Sequence, residues 1–125
     1  MDLLGLITEL PAGTVHLPWD GPKVRLIEHQ AHAMGHVALW IEECGVLVAG
    51  DMVSDILIPL LNFKAADPIE DYLVALKRLE TVAGHTAVVI PGRGPWVELV
   101  LHAPRGPNCS LPRVRIADRP ANQMP

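Results

Sequence analysis

The chain has 125 residues, 50% of them apolar and 19% charged, with a formal net charge of −4 at pH 7. That is enough for one globular core, and it excludes a disordered or fibrous chain, while the acidic balance argues against a nucleic-acid or anionic-membrane partner, which needs a basic footprint. Two cysteines, Cys44 and Cys109, cannot supply the disulfide framework of a small secreted protein or a zinc site of paired C-x-x-C spacing, so a reducing, cytoplasmic setting is expected.

Met1-Asp2 opens without the basic segment of a signal peptide, and the apolar stretches Val37 to Ile41, Val46 to Gly50 and Ile56 to Leu61 are far shorter than the ~20 residues that span a bilayer. Lys23 to Glu28 alternates charged and apolar residues around a Leu-Ile pair, as a half-buried strand does. Val37 to Glu42 and Val46 to Gly50, separated by Glu43-Cys44-Gly45, predict a hairpin with glycine at its turn. Met52 to Asn62 is ambiguous: Ser54-Asp55 could start a short helix, which Pro59 would limit.

One helix is clearly marked. Asp67 is a good N-cap, Pro68 suits the first helical position, Glu70 completes a capping box, and Gly84 is a natural stop. Its apolar stripe runs through Ile69, Tyr72, Leu73, Leu76, Leu79 and Val82, so the helix should lie on a sheet. Ala87 to Ile90, ended by Pro91-Gly92, reads as a strand buried on both faces. Charge then reverses: residues 1–92 hold five Lys/Arg and twelve Asp/Glu, whereas residues 93–125 hold five arginines, two acids and six of the twelve prolines. The expected organisation is therefore a partial domain over 1–99 and an irregular or disordered tail over 100–125.

Chemistry concentrates at three strand ends. His29, His32 and His36 fall in a loop between two strands, Asp51 follows the run Val46 to Gly50, and Pro91-Gly92-Arg93-Gly94-Pro95 forms a glycine-rich turn. Neutral imidazole and carboxylate are ordinary zinc ligands, so such a cleft on an α/β sheet could hold a metal. The plainer alternative is a surface histidine and a turn-capping aspartate. His16, His85 and His102 show no partner pattern and read as surface residues, and Trp19, Trp40 and Trp96 read as core or edge packing.

The string Glu28-His29-Gln30-Ala31-His32-Ala33-Met34-Gly35-His36, then Gly45 to Asp51, the helix opening Asp67-Pro68-Ile69-Glu70, and Val88-Val89-Ile90-Pro91-Gly92 together resemble the C-terminal half of a metallo-β-lactamase-fold hydrolase. The resemblance covers residues 10–95 and implies an α/β fold: half of an αββα sandwich, one small mixed sheet with a packed helix. It implies a zinc-dependent hydrolase in which, in the complete enzyme, metal-bound hydroxide attacks the substrate. Residue by residue, His32 matches a histidine ligand, Asp51 the acid that bridges two metals, and His36 a second histidine that supports the site without ligating.

The departures bear on activity. Arg93 stands where the family's last histidine ligand belongs, and a guanidinium cannot ligate zinc. The H-x-H-x-D-H motif, which supplies most ligands, should lie well upstream of His32, yet only 31 residues precede it. Two ligands at most remain, so the chain alone is expected to be inactive, and the missing N-terminal half or a second copy in a homodimer is expected to cover the open sheet. A reading-frame slip near codon 93 would account together for Arg93, the charge reversal and the proline-rich tail. Two other readings stand beside this one: a non-catalytic remnant that binds itself or a partner, and a small metal-binding protein using His29, His32, His36 and Asp51.

Overall fold

A computed structural model describes residues 8–54, 61–93, 97–98 and 109. Strands β1 (Val24–His29), β2 (His36–Ile41) and β3 (Val46–Ser54) are followed by helix α1 (Pro68–Ala83), β4 (Val88–Arg93) and the two-residue β5 (Val97–Glu98). They form one mixed five-stranded sheet in the order β1-β2-β3-β4-β5. β1, β2 and β3 meander antiparallel, and α1 returns the chain so that β4 lies parallel to β3, the connection that a parallel pair requires.

Local chemistry explains most of these elements. The β2–β3 hairpin closes through a short 3-10 turn, Glu42–Cys44, and Gly45 sits at φ 62, a left-handed conformation that glycine adopts without steric cost. A side chain there would also press on the His85 carbonyl, 2.8 Å from where a Cβ would stand. At the start of α1 the Asp67 carboxylate accepts the Glu70 backbone N–H at 3.0 Å, the cap that the sequence predicts. Gly84 ends the helix by position alone, since it keeps a right-handed φ of −64.

The core lies between α1 and one sheet face. Ile27, Ala38, Trp40, Leu47, Ala49 and Met52 meet Ala75, Leu79 and Val82 of the helix, with Tyr72 at the margin. The predicted stripe is wider than this contact, because a single helix covers only part of the sheet: Ile69 is 65% exposed, and Leu73 and Leu76 are also exposed. β4 likewise departs from the expectation of burial on both faces, since Val88 is buried but Ile90 is 38% exposed. On the face away from α1, Leu26, Leu39, Val48 and Ile90 stand in register across four strands.

Cys44, Val46, Ala87 and Val88 form a second buried cluster, against which Ile41, Val48 and Cys109 pack. Cys109 is joined to Cys44 in a disulfide, with the Cα atoms 5.0 Å apart. This pairing runs against the reducing setting that the cysteine count suggests, because disulfides persist in oxidising compartments. No described helix is long and apolar enough to cross a membrane. The ambiguous stretch resolves in part: Met52 to Ser54 extend β3, whereas residues 55–60 lie outside the described residues. So do Trp96, His102 and, apart from Cys109, the predicted tail over 100–125.

Candidate functional site

The three sequence features meet at one end of the sheet. His29 and His36 are the last paired residues of the β1–β2 ladder, so the loop between them opens directly from the sheet. Its conformation is fixed by local hydrogen bonds. Gly35, at φ 69, donates its N–H to Gln30 Oε1 at 3.0 Å, and the His36 N–H reaches the Ala33 carbonyl at 3.2 Å. Ala31 is fully buried, and its carbonyl accepts the Asn62 N–H at 2.9 Å, which ties the loop to the segment ahead of α1. His32 projects from this anchored loop.

Asp51 reaches His32 from β3: Asp51 Oδ2 lies 3.3 Å from His32 Nε2, with both side chains partly exposed. It is not at a strand end, as its place after an apolar run suggests. β3 continues to Ser54, and its pairing with β4 shifts register around Gly50 and again before Ser54. That irregularity turns Asp51 out of the regular alternation and toward the β1–β2 loop. Two glycines make room. Gly50 has φ 57, and a Cβ there would stand 3.1 Å from His36 Cε1 and 3.2 Å from His36 Nε2. A Cβ on Gly92 would run into Asp51 Oδ1 and lie 2.8 Å from the Asp51 amide nitrogen. Gly92 is not in a turn: β4 runs on through Pro91 to Arg93 in pairing with β3, instead of ending at Ile90, and glycine there serves the close backbone approach that its composition predicts. Arg93 is exposed and pairs in register with Ser54, and Gly94 and Pro95 lie outside the described residues.

Behind His32 stand two further imidazoles. His29 Nε2 and His36 Nδ1 are 3.2 Å apart, with the rings edge to face at a centroid separation of 4.7 Å. The His32 and His36 ring centroids are 5.5 Å apart. His29 is only 1% exposed, and its Nδ1 is buried without a hydrogen-bond partner among the described residues. Burial, then the neighbouring charges of His36, Arg78 and His32, pushes its pKa from 6.5 down to about 4, so it is neutral at pH 7. Burial, and after it His32, also lowers the pKa of His36, against the pull of Asp51. Arg78 of α1 donates to the Glu28 carbonyl and so brings its charge close to His29.

The arrangement thus joins His32, Asp51 and, beside them, His36. Among the described residues no group of three or more His, Cys, Asp or Glu side chains is placed to hold a metal ion. His29, which the resemblance assigns no role, is a buried structural element of the site. Alternation along β1 is the signal that finds it, since His29 shares the face of Ile27, which packs against α1. His16 bridges Arg25 at the sheet edge and His85 is exposed, in keeping with the reading that neither serves the site. Trp40 is core, as expected, whereas Trp19 is 53% exposed.

No family model matches the chain, and no curated protein matches it. Solved structures do. A metallo-β-lactamase family protein from Thermus thermophilus is 30% identical over 66% of this chain and 28% of its own, with a TM-score of 0.57. A β-lactamase domain protein from Burkholderia ambifaria is also 30% identical, over 66% of this chain and 27% of its own, with a TM-score of 0.57. A third structure, TTHA1623 in a di-iron-bound form, is 30% identical over 67% of this chain and 41% of its own, with a TM-score of 0.51. The chain spans between about a quarter and two fifths of the length of these structures. With its mixed sheet, single crossover helix and His–Asp pair at one sheet end, the chain carries a fragment of the metallo-β-lactamase fold, a metal-dependent hydrolase-like fold.

Proposed function

We propose that this chain is part of a zinc-dependent hydrolase of the metallo-β-lactamase fold, and that His32 and Asp51 are two of its metal ligands. One observation carries the reading: His32 Nε2 and Asp51 Oδ2 come from two separate elements and stand 3.3 Å apart. Two donors each 2.0–2.2 Å from one tetrahedral ion are roughly 3.3–3.5 Å apart. The observed spacing admits one ion between the two donors.

Zinc, when bound, supplies a Lewis acid that polarises the substrate and acidifies water. The chain's own residues hold and orient. His32 offers an imidazole nitrogen, Asp51 a carboxylate oxygen, and Gly92 lets the β4 backbone lie against Asp51. His36 packs behind the pair without joining it. Arg93, which only donates hydrogen bonds, cannot complete the set. Two protein donors hold zinc weakly, so this chain by itself is not expected to hydrolyse a substrate, and the remaining ligands come from beyond the described residues or from another chain.

Calorimetric titration of zinc into the full chain tests the assignment. Weak binding at one ion per chain, reduced roughly tenfold or more by His32→Ala and by Asp51→Ala, is expected. Binding that neither change affects would place the ion elsewhere.

A second reading, a non-catalytic remnant that associates with a second copy, is favoured by the apolar row Leu26, Leu39, Val48 and Ile90 on the face away from α1. Apolar sheet faces pack together at about 10 Å. Sedimentation equilibrium distinguishes the two: a dimer that Ile90→Glu dissociates supports this reading, and a monomer at all concentrations removes it.

A further inference from the structure

We propose that His29 is a positioning residue for this site: its Nε2–H donates to His36 Nδ1 and thereby holds the His36 proton on Nε2, the edge that faces Gly50. The two nitrogens are 3.2 Å apart, and neither ring needs to be charged for the bond to form. One ring must donate and the other accept. One feature of the surroundings decides which.

It is the buried Nδ1 of His29, which has no hydrogen-bond partner among the described residues. If His36 donated, the His29 proton would have to sit on that nitrogen, leaving a buried N–H with no acceptor. If His29 donates from Nε2, the unpaired atom is a bare lone pair. Orphaned buried N–H groups are the rarer of the two in folded proteins.

His36 Nε2 and Cε1 are the atoms that a Cβ on Gly50, the residue before Asp51, would meet at 3.2 and 3.1 Å, so the protonated edge is turned to this part of the site.

The consequence is chemical. A histidine whose Nε2 carries the proton and whose Nδ1 accepts a hydrogen bond has no lone pair to give a metal. His29 therefore keeps His36 out of the ligand set and leaves its Nε2–H as a donor beside Asp51. The hydrogen-bond direction stands without any metal, and only this consequence rests on the metal site proposed above.

Nitrogen-15 spectra of the metal-free full chain with labelled histidine read the tautomers directly, because protonated and bare ring nitrogens resonate far apart. At neutral pH both His29 and His36 are expected as Nε2–H tautomers, with at least roughly tenfold preference over Nδ1–H. His29→Gln keeps a donor at the same place and should preserve the His36 tautomer, whereas His29→Leu should shift His36 toward a mixture. A wild-type His36 protonated on Nδ1, or a His36 tautomer unchanged in folded His29→Leu, overturns the proposal. The wild-type spectrum decides even if the leucine variant does not fold. If the expected tautomers are present and zinc does not bind, the hydrogen bond stands and the metal assignment falls.

Discussion

Three residues at the sheet end owe their places to chemistry that a sequence shows only in part. His32 and Asp51 are legible as ligand types at neighbouring elements, and the structure brings them within 3.3 Å. Gly50 is legible only as the residue before the aspartate, yet its φ of 57 is strained for any other residue, and a Cβ there would stand 3.1 Å from the His36 ring, which would have to give way. Gly50→Ala is therefore expected to lose about 1–2 kcal/mol from backbone strain alone, with more from displacing His36, and a fall in the thermal midpoint of several degrees measures it. His29 makes the clearest pH prediction. Its folded pKa of about 4 lies below the unfolded 6.5, so between these values the unfolded chain takes up the proton that the native chain refuses. Stability is full above pH 6.5 and is lost as pH falls toward 4, by at most about 3 kcal/mol. Urea unfolding at pH 7 and pH 4.5 should show this loss in the wild type and a smaller one in His29→Gln.

The elements follow from local signals where those signals are self-contained. The capping box and proline at the start of α1 needed no tertiary help to be read, and the Asp67 carboxylate caps the Glu70 N–H as they imply. Asp67→Ala should cost about 1 kcal/mol, seen as a lower urea midpoint with an unchanged slope. What the pattern could not show is how much of the helix the sheet would cover. Leu79 is buried and Leu73 is exposed although both belong to one apolar stripe, because the contact surface is set by a partner layer that periodicity does not describe. Leu79→Ala is accordingly expected to destabilise by about 2–5 kcal/mol, and Leu73→Ala by well under 1 kcal/mol. The irregularity in β3 was equally illegible, since a shift of register depends on the strand beside it and not on Val46 to Gly50 themselves.

At the scale of the whole molecule, the fold was readable because four separated segments keep the order and spacing of a known architecture, and the solved structures share that architecture over about two thirds of the chain. The Cys44–Cys109 disulfide was not readable, because 65 residues separate the two cysteines and only the packing against Val46 and Val88 brings them together. Closing a loop of that length is worth about 4 kcal/mol in the chain-entropy account, so Cys109→Ser should lower stability by up to that amount under oxidising conditions and by little under reducing ones. The described residues form a sheet with a helix on one face and the His32–Asp51 pair at its end, a fragment of the metallo-β-lactamase fold. Zinc titration of the full chain, beside His32→Ala and Asp51→Ala, tests that account most directly. One weakly held ion per chain that both substitutions release is the predicted result; an ion held equally well by all three proteins would contradict it.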